Sequence, residues 1–112
     1  METITRADFE KIQLVVWTII HAEPFPEARK PAYKLTIDFW GNIGIKKSSA
    51  QITVHYTPDT LIGRQIIAVV NFPAKQIGPF ISECLVTGVY DENGSVILIS
   101  PDQQIPNGEK LC

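Results

Sequence analysis

Tyr33-Lys34-Leu35-Thr36-Ile37-Asp38, then Trp40-Gly41-Asn42, then Ile43-Gly44-Ile45-Lys46-Lys47, is the stretch that decides the fold. Its first part alternates: Tyr33, Leu35 and Ile37 point one way, and Lys34, Thr36 and Asp38 the other. A period of two is a half-buried strand, because successive side chains leave a pleated backbone on opposite faces. Trp40-Gly41-Asn42 is a turn signal and residues 43–47 run back as another strand, so the segment reads as a hairpin.

The same reading extends outward. Upstream, residues 14–22 are rich in Val, Ile, Trp and Thr and apolar on both faces, which predicts a strand covered on both sides. Pro24, Pro26 and Pro31 then impose an irregular charged loop holding Phe25 and residues 27–30. Near the start, Thr5 can cap a short helix over 5–11, with Asp8 as the acidic half of a capping box and Phe9 and Ile12 on one face. Downstream, residues 48–53 fit either a strand end or a single helical turn, and Thr57-Pro58-Asp59 starts a helical turn that Gly63 ends. Residues 65–71 read as a fourth strand, and 72–80, with Pro73, Gly78 and Pro79, as a loop. Residues 81–90 read as a fifth strand, Asp91-Glu92-Asn93-Gly94 as a turn, 96–100 as a sixth strand, and the tail as an extended arm. Short strands with helices only as single turns predict a small barrel or sandwich. Strands apolar on both faces need outside cover, for which the terminal arms or a second copy of the chain are the candidates.

At 112 residues, 45% of them apolar and 20% charged, the chain reads as one ordinary globular domain. No secretory signal is recognisable after Met1-Glu2-Thr3, and the longest apolar stretch, residues 14–20, is too short to span a membrane, so the cytoplasm is the expected compartment. A net charge of −2 excludes coating nucleic acid by bulk charge and leaves room for a local basic patch. Cys84 sits in an apolar run as a core residue and Cys112 ends the chain; neither has a partner at metal-ligand spacing, so no metal or other cofactor is expected. No nucleophile elbow surrounds any serine and no phosphate-cradling glycine loop is recognisable, and His21 and His55 each read as a strand or loop residue with a satisfied hydrogen bond. An enzyme is not expected.

Three polar clusters remain. Lys46-Lys47-Ser48-Ser49 puts two cations beside two hydroxyls at a strand end; Asn71-Phe72-Pro73-Ala74-Lys75-Gln76 joins an amide, a ring and a cation; Ser82-Glu83 follows. Single-stranded RNA recognition uses these types: cations for phosphate, rings for stacking, and amides, hydroxyls or carboxylates for base edges. The alternative is a solvated loop with Phe72 and Phe80 tucked into the core, and the residue types alone leave both open.

Residues 25–35, 43–53 and 68–73, Ser82-Glu83 before an apolar strand, and the closing Pro101-Asp102 and Ile105-Pro106-Asn107-Gly108 together resemble the CsaA family of small export-related chaperones, from Asp8 to Gly108. That family is similar to the tRNA-binding domains appended to some methionyl- and phenylalanyl-tRNA synthetases. The resemblance implies a mainly β chain, an OB-fold five-stranded barrel with short helical turns and terminal extensions, forming one tRNA-binding-type domain over residues 1–112. It also implies a homodimer with extensions packed across subunits, tRNA or another structured RNA as partner, and chaperone activity toward unfolded preproteins. Carried over position by position, it places RNA binding on Asn71, Lys75, Ser82 and Glu83, flanked by Lys46, Lys47, Ser48 and Ser49. Lys75 and Lys46 would neutralise phosphate, Asn71 and Ser82 would bond base or sugar edges, and Glu83 would accept from a base amino group or orient Lys75.

The chain departs from the family at Val15 and Trp17, where Arg and Gly are usual, at Ala74 and Lys75, where Pro and Arg are usual, and at Trp40, where Gly is common. Lysine offers phosphate a point charge where arginine offers a fork. The second functional reading is a chaperone with RNA binding vestigial. It requires an exposed apolar patch, with Trp17, Trp40 or Phe72 as candidates unless those rings are buried.

Overall fold

Residues that are apolar on both faces can form strands only where the fold covers both, and the first strand shows how that is done. The computed structural model describes residues 1–39 and 44–112. The element order is α1 (Arg6–Glu10), β1 (Leu14–Pro24), β2 (Tyr33–Phe39), β3 (Gly44–Ala50), α2 (Pro58–Leu61), β4 (Gln65–Val69), β5 (Lys75–Ile77), β6 (Phe80–Ser82), β7 (Leu85–Val86), β8 (Gly88–Tyr90) and β9 (Val96–Leu98). One antiparallel sheet runs β3-β2-β1-β4-β7, and β5–β6 and β8–β9 are separate hairpins. The sheet curls until β3 lies beside residues 82–84, giving a mainly β, OB-type barrel.

β1 serves two parts of the wall. Leu14–Thr18 pair with β4, and Thr18–Pro24 pair with β2. The register shifts between Ile19 and His21, leaving Ile20 as the extra residue of a bulge that bends the strand. The edge of β1 that β2 does not reach is taken by the tail, through Gly108 N to Val16 O, Val16 N to Glu109 O and Leu111 N to Leu14 O, each 2.9 Å. The tail is therefore paired as well as extended. Gln65, buried in β4, clips it: its amide donates to Ile105 O at 2.6 Å and accepts from Ile105 N at 3.1 Å. That satisfies a polar group that would otherwise be stranded in the core.

Trp17, Ile19, Leu35, Ile37, Leu61 and Ile66 fill the barrel at 0% exposure. Trp17 and Ile66 are cross-strand partners, as are Ile19 and Ile37. Trp17, a departure from the family pattern, is thus a core residue and contributes nothing to the outer surface. Leu61 reaches the core from α2, which starts with Pro58 in its first turn. α1 has the expected capping box, with Asp8 N to Thr5 Oγ1 and Thr5 N to Asp8 Oδ2 both at 3.2 Å, and none of its residues is buried.

Two expectations change. Residues 72–80 hold a strand, β5, and β5–β6 is a hairpin with Lys75 opposite Ser82. The single fifth strand over 81–90 is three short ones, because β6, β7 and β8 each pair with a different neighbour. At the start of β8 the backbone passes close to β9: a Cβ at Gly88 would meet Val96 Cγ1 at 2.5 Å and Ile97 O at 2.9 Å, so only glycine fits. Of the two readings left open for residues 48–53, the strand end holds, since residues 48–50 complete β3. The turn at 40–42 and Ile43 lie outside the described residues. Among the described residues no helix is long and apolar enough to cross a membrane.

Candidate nucleic-acid interface

β3 is an edge strand, and an edge leaves main-chain groups without a ladder partner. Residues 82–84 run beside it and supply those partners largely from side chains. Glu83 N donates to Lys47 O at 2.8 Å, as in a ladder. The return bonds are Lys47 N to Glu83 Oε1 and Ser49 N to Ser82 Oγ, both 3.1 Å. Ser48, at 0% exposure, donates from Oγ to Cys84 O at 3.0 Å. Ser48, Ser49, Ser82 and Glu83 therefore stitch the barrel shut, each bond contributing a net ~0.5–1.5 kcal/mol. Cys84 lies in the same seam; burial pushes its thiol up to about 12, so it stays protonated and unreactive at neutral pH.

Glu83 also faces Lys46, with Oε2 3.9 Å from Nζ, and this is its ion pair rather than one with Lys75. Lys46 is the register partner of Ile37 and Lys47 of Thr36, so the two lysines leave β3 on opposite faces. Lys47 shares the outer face with Ser49, about 7 Å along the strand, and is exposed. Asn71 is engaged at both ends of its amide: Oδ1 accepts from Gln13 N at 3.0 Å and Nδ2 donates to Lys11 O at 2.7 Å. It pins the junction between α1 and β1 against the end of β4.

Lys75 is exposed on β5 and stands at the meeting of two depressions. One, of about 410 Å³, lies between the β1–β2 loop and the β5–β6 hairpin; Arg29, Lys30, Lys75, Ser49 and Gln76 line it, with Glu27 in the same wall. The other, of about 780 Å³, is lined by Phe72, Leu85, Val89 and Tyr90 among others. The loop that carries Arg29 and Lys30 is anchored by Phe25, 3% exposed, whose ring lies 5.3 Å from that of Phe80. Lys34 Nζ sits over both rings, at 5.1 and 5.9 Å. Phe80 is thus tucked in, whereas Phe72 is 54% exposed.

Arg29 and Lys30 were not among the residues the sequence singled out. Their only signal is two adjacent cations in a loop between prolines, which is ordinary for a solvated loop; their meaning comes from a fold that sets residue 30 beside residue 75. A satisfied hydrogen bond is expected at each histidine, and His55 has one while His21 has only a longer ion-pair contact. His55 Nε2 lies 2.7 Å from Asp91 Oδ2, and His21 lies 3.8 Å from Glu23. Among the described residues no cluster of His, Cys, Asp and Glu could hold a metal ion.

A model of the putative tRNA-binding domain family matches residues 14–110. The crystal structure of the chaperone CsaA from Bacillus anthracis is 50% identical, with a TM-score of 0.91, covering 99% of this chain and all (100%) of that one. That of the CsaA chaperone protein from Picrophilus torridus is 52% identical with a TM-score of 0.90, covering 98% of this chain and 100% of that one. A methionine–tRNA ligase of Methanococcus aeolicus is 41% identical over 100% of this chain, which spans only 16% of that enzyme's length.

Proposed function

The chain belongs to the putative tRNA-binding domain family, within its CsaA group, and from that premise we propose that it binds tRNA on the closing side of its barrel and catalyses nothing. The observation that carries this reading is the convergence of Arg29, Lys30 and Lys75 on one cleft beside Ser49. Phosphates supply most of the affinity of such complexes, and cations gathered by the fold can bind them even on a chain of net charge −2. In this proposal Lys75, Lys47, Lys46, Arg29 and Lys30 meet phosphate. Ser48, Ser49, Ser82, Glu83 and Asn71 act by shaping the surface: the first four close the seam from which the lysines project, and Asn71 fixes the strand end from which the 72–75 loop starts. Residues 1–112 would act as one domain, in the cytoplasm where tRNA is found.

The test is binding of purified protein to total tRNA at several salt concentrations. Log affinity should fall with log salt with a slope of a few units, and Lys75→Ala and Arg29→Ala should each reduce that slope by about 1. Both side chains are exposed, so the fold should not change. Absence of tRNA binding at low salt would overturn the proposal.

One observation favours the chaperone reading as a second activity, or as the main one with RNA binding vestigial: Phe72, Leu85, Val89 and Tyr90 are exposed and line one groove, which could hold an unfolded preprotein segment. Salt-insensitive suppression of client aggregation by a protein that ignores tRNA would favour it. A homodimer is the proposed assembly. It is supported by α1, which buries none of its residues and is flanked by exposed Ile4 and Ile12.

A further inference from the structure

The basic cleft and the apolar groove are one continuous depression, since Ser49, Gln51, Lys75 and Ile77 line both. Its character changes along its length. Arg29 and Lys30 stand at one end, and Phe72 and Tyr90, 54% and 77% exposed, stand at the other. A ligand that fits must carry an anion next to a flat, weakly polar group. A base pair inside a duplex does not offer this, because its faces are covered by neighbouring pairs and only its edges are accessible. A nucleotide out of the stack offers both, phosphate and open ring face, in one unit. The volume of the groove, about 780 Å³, is in the range of sites that enclose a single small molecule.

Resting on the RNA-binding reading above, we propose that this depression selects an unpaired nucleotide, its phosphate among Arg29, Lys30 and Lys75 and its base against Phe72, with Tyr90 in the same wall. Glu27 in the cleft wall offsets part of the positive charge, which suits one phosphate better than a run of them. The neutral side chains Ser49 and Gln51 line both parts of the depression, where a ribose would sit. The partner is then a structured RNA at a place where a loop or an end leaves a base unstacked, and the paired stems of the same RNA contribute only general phosphate attraction.

The experiment is fluorescence anisotropy with a labelled single-stranded oligoribonucleotide, a blunt, fully paired RNA duplex containing the same sequence, and total tRNA. The single strand should bind ~10-fold more tightly than the duplex, and Phe72→Ala should weaken the single strand about 10-fold while leaving the duplex unchanged. Phe72→Trp should retain single-strand affinity, because indole stacks at least as well. Phe72 is exposed, so truncation removes no core packing. Duplex binding equal to single-strand binding, or Phe72→Ala without effect, alongside intact tRNA binding, would overturn this inference and leave the RNA reading standing. Failure to bind any of the three RNAs would overturn both.

Discussion

The two sides of the barrel are held by different chemistry. Where β1 meets β2 and β4, main-chain ladders align Ile19 with Ile37 and Trp17 with Ile66, and these four side chains are wholly buried. Where β3 meets residues 82–84, two strand N–H groups are satisfied by a carboxylate and a hydroxyl, and a buried serine completes the seam. The first region depends on volume and is indifferent to charge. The second depends on individual oxygen atoms. Lys46 and Lys47 emerge from the second, and Lys75 pairs with its Ser82 across the β5–β6 hairpin, so part of the surface that would meet RNA is built on the more polar and more easily perturbed half.

The largest expected effect breaks the apolar side. Leu35→Ala deletes a side chain at 0% exposure and should destabilise by roughly 2–5 kcal/mol in urea unfolding, out of a total of ~5–15 kcal/mol for a typical domain. Salt should not alter the difference, and tRNA affinity should fall only as far as the folded fraction does. A loss below about 1 kcal/mol would mean that the barrel interior collapses to fill the space.

A smaller effect is expected in the seam, and here chemistry can be separated from charge. Glu83→Ala leaves Lys47 N without its acceptor and should cost ~1–2 kcal/mol. Glu83→Gln keeps an oxygen at that position and should recover most of the loss, because the partly exposed pair with Lys46 at 3.9 Å is worth less than ~1 kcal/mol. Removing a negative charge beside Lys46 would by itself strengthen phosphate binding. If tRNA affinity falls in Glu83→Ala and returns in Glu83→Gln, the residue acts by placing β3. If affinity falls in both while stability holds, the carboxylate meets the RNA directly.

This contrast also explains what was legible in the sequence. Tyr33-Lys34-Leu35-Thr36-Ile37-Asp38 announces its strand because a one-residue slip would turn Leu35 and Ile37 out to water, so register is written in the pattern. The capping box at Thr5 and Asp8 is legible for a similar reason: its bonds are three residues apart. The seam is not legible in that way. Ser48, Ser82 and Glu83 have the composition of ligand-binding residues, and only the curl of the sheet reveals that their oxygens face the main chain 33 to 36 residues away. The strand β5 was hidden because three residues between Pro73 and Gly78 carry too little pattern to show a period. Arg29 and Lys30 joined the site through a contact between distant loops, which local residue types do not encode.

The smallest effect separates the two sides by pH. The Asp91 carboxyl is held below its ordinary value of 3.8, first by the main-chain N–H of Ser95, then by the His55 side chain, while a weaker desolvation effect opposes and the Asn93 main chain adds to the lowering. Folding therefore favours the ionised form, and the contribution is fully present above the unfolded value near 3.8 and is lost as pH falls through the lower folded value. This bond ties the turn at 53–55 to the β8–β9 hairpin, whose residues Val89 and Tyr90 line the apolar groove. Asp91→Asn should therefore be less stable than the parent at neutral pH, with the deficit shrinking as pH falls below 3.8, as read from urea midpoints across the range. The Leu35→Ala deficit should stay constant over the same range, because no titrating group is removed. A deficit for Asp91→Asn that does not change with pH would assign Asp91 a role in turn geometry alone, and acid sensitivity would then have to come from other polar contacts.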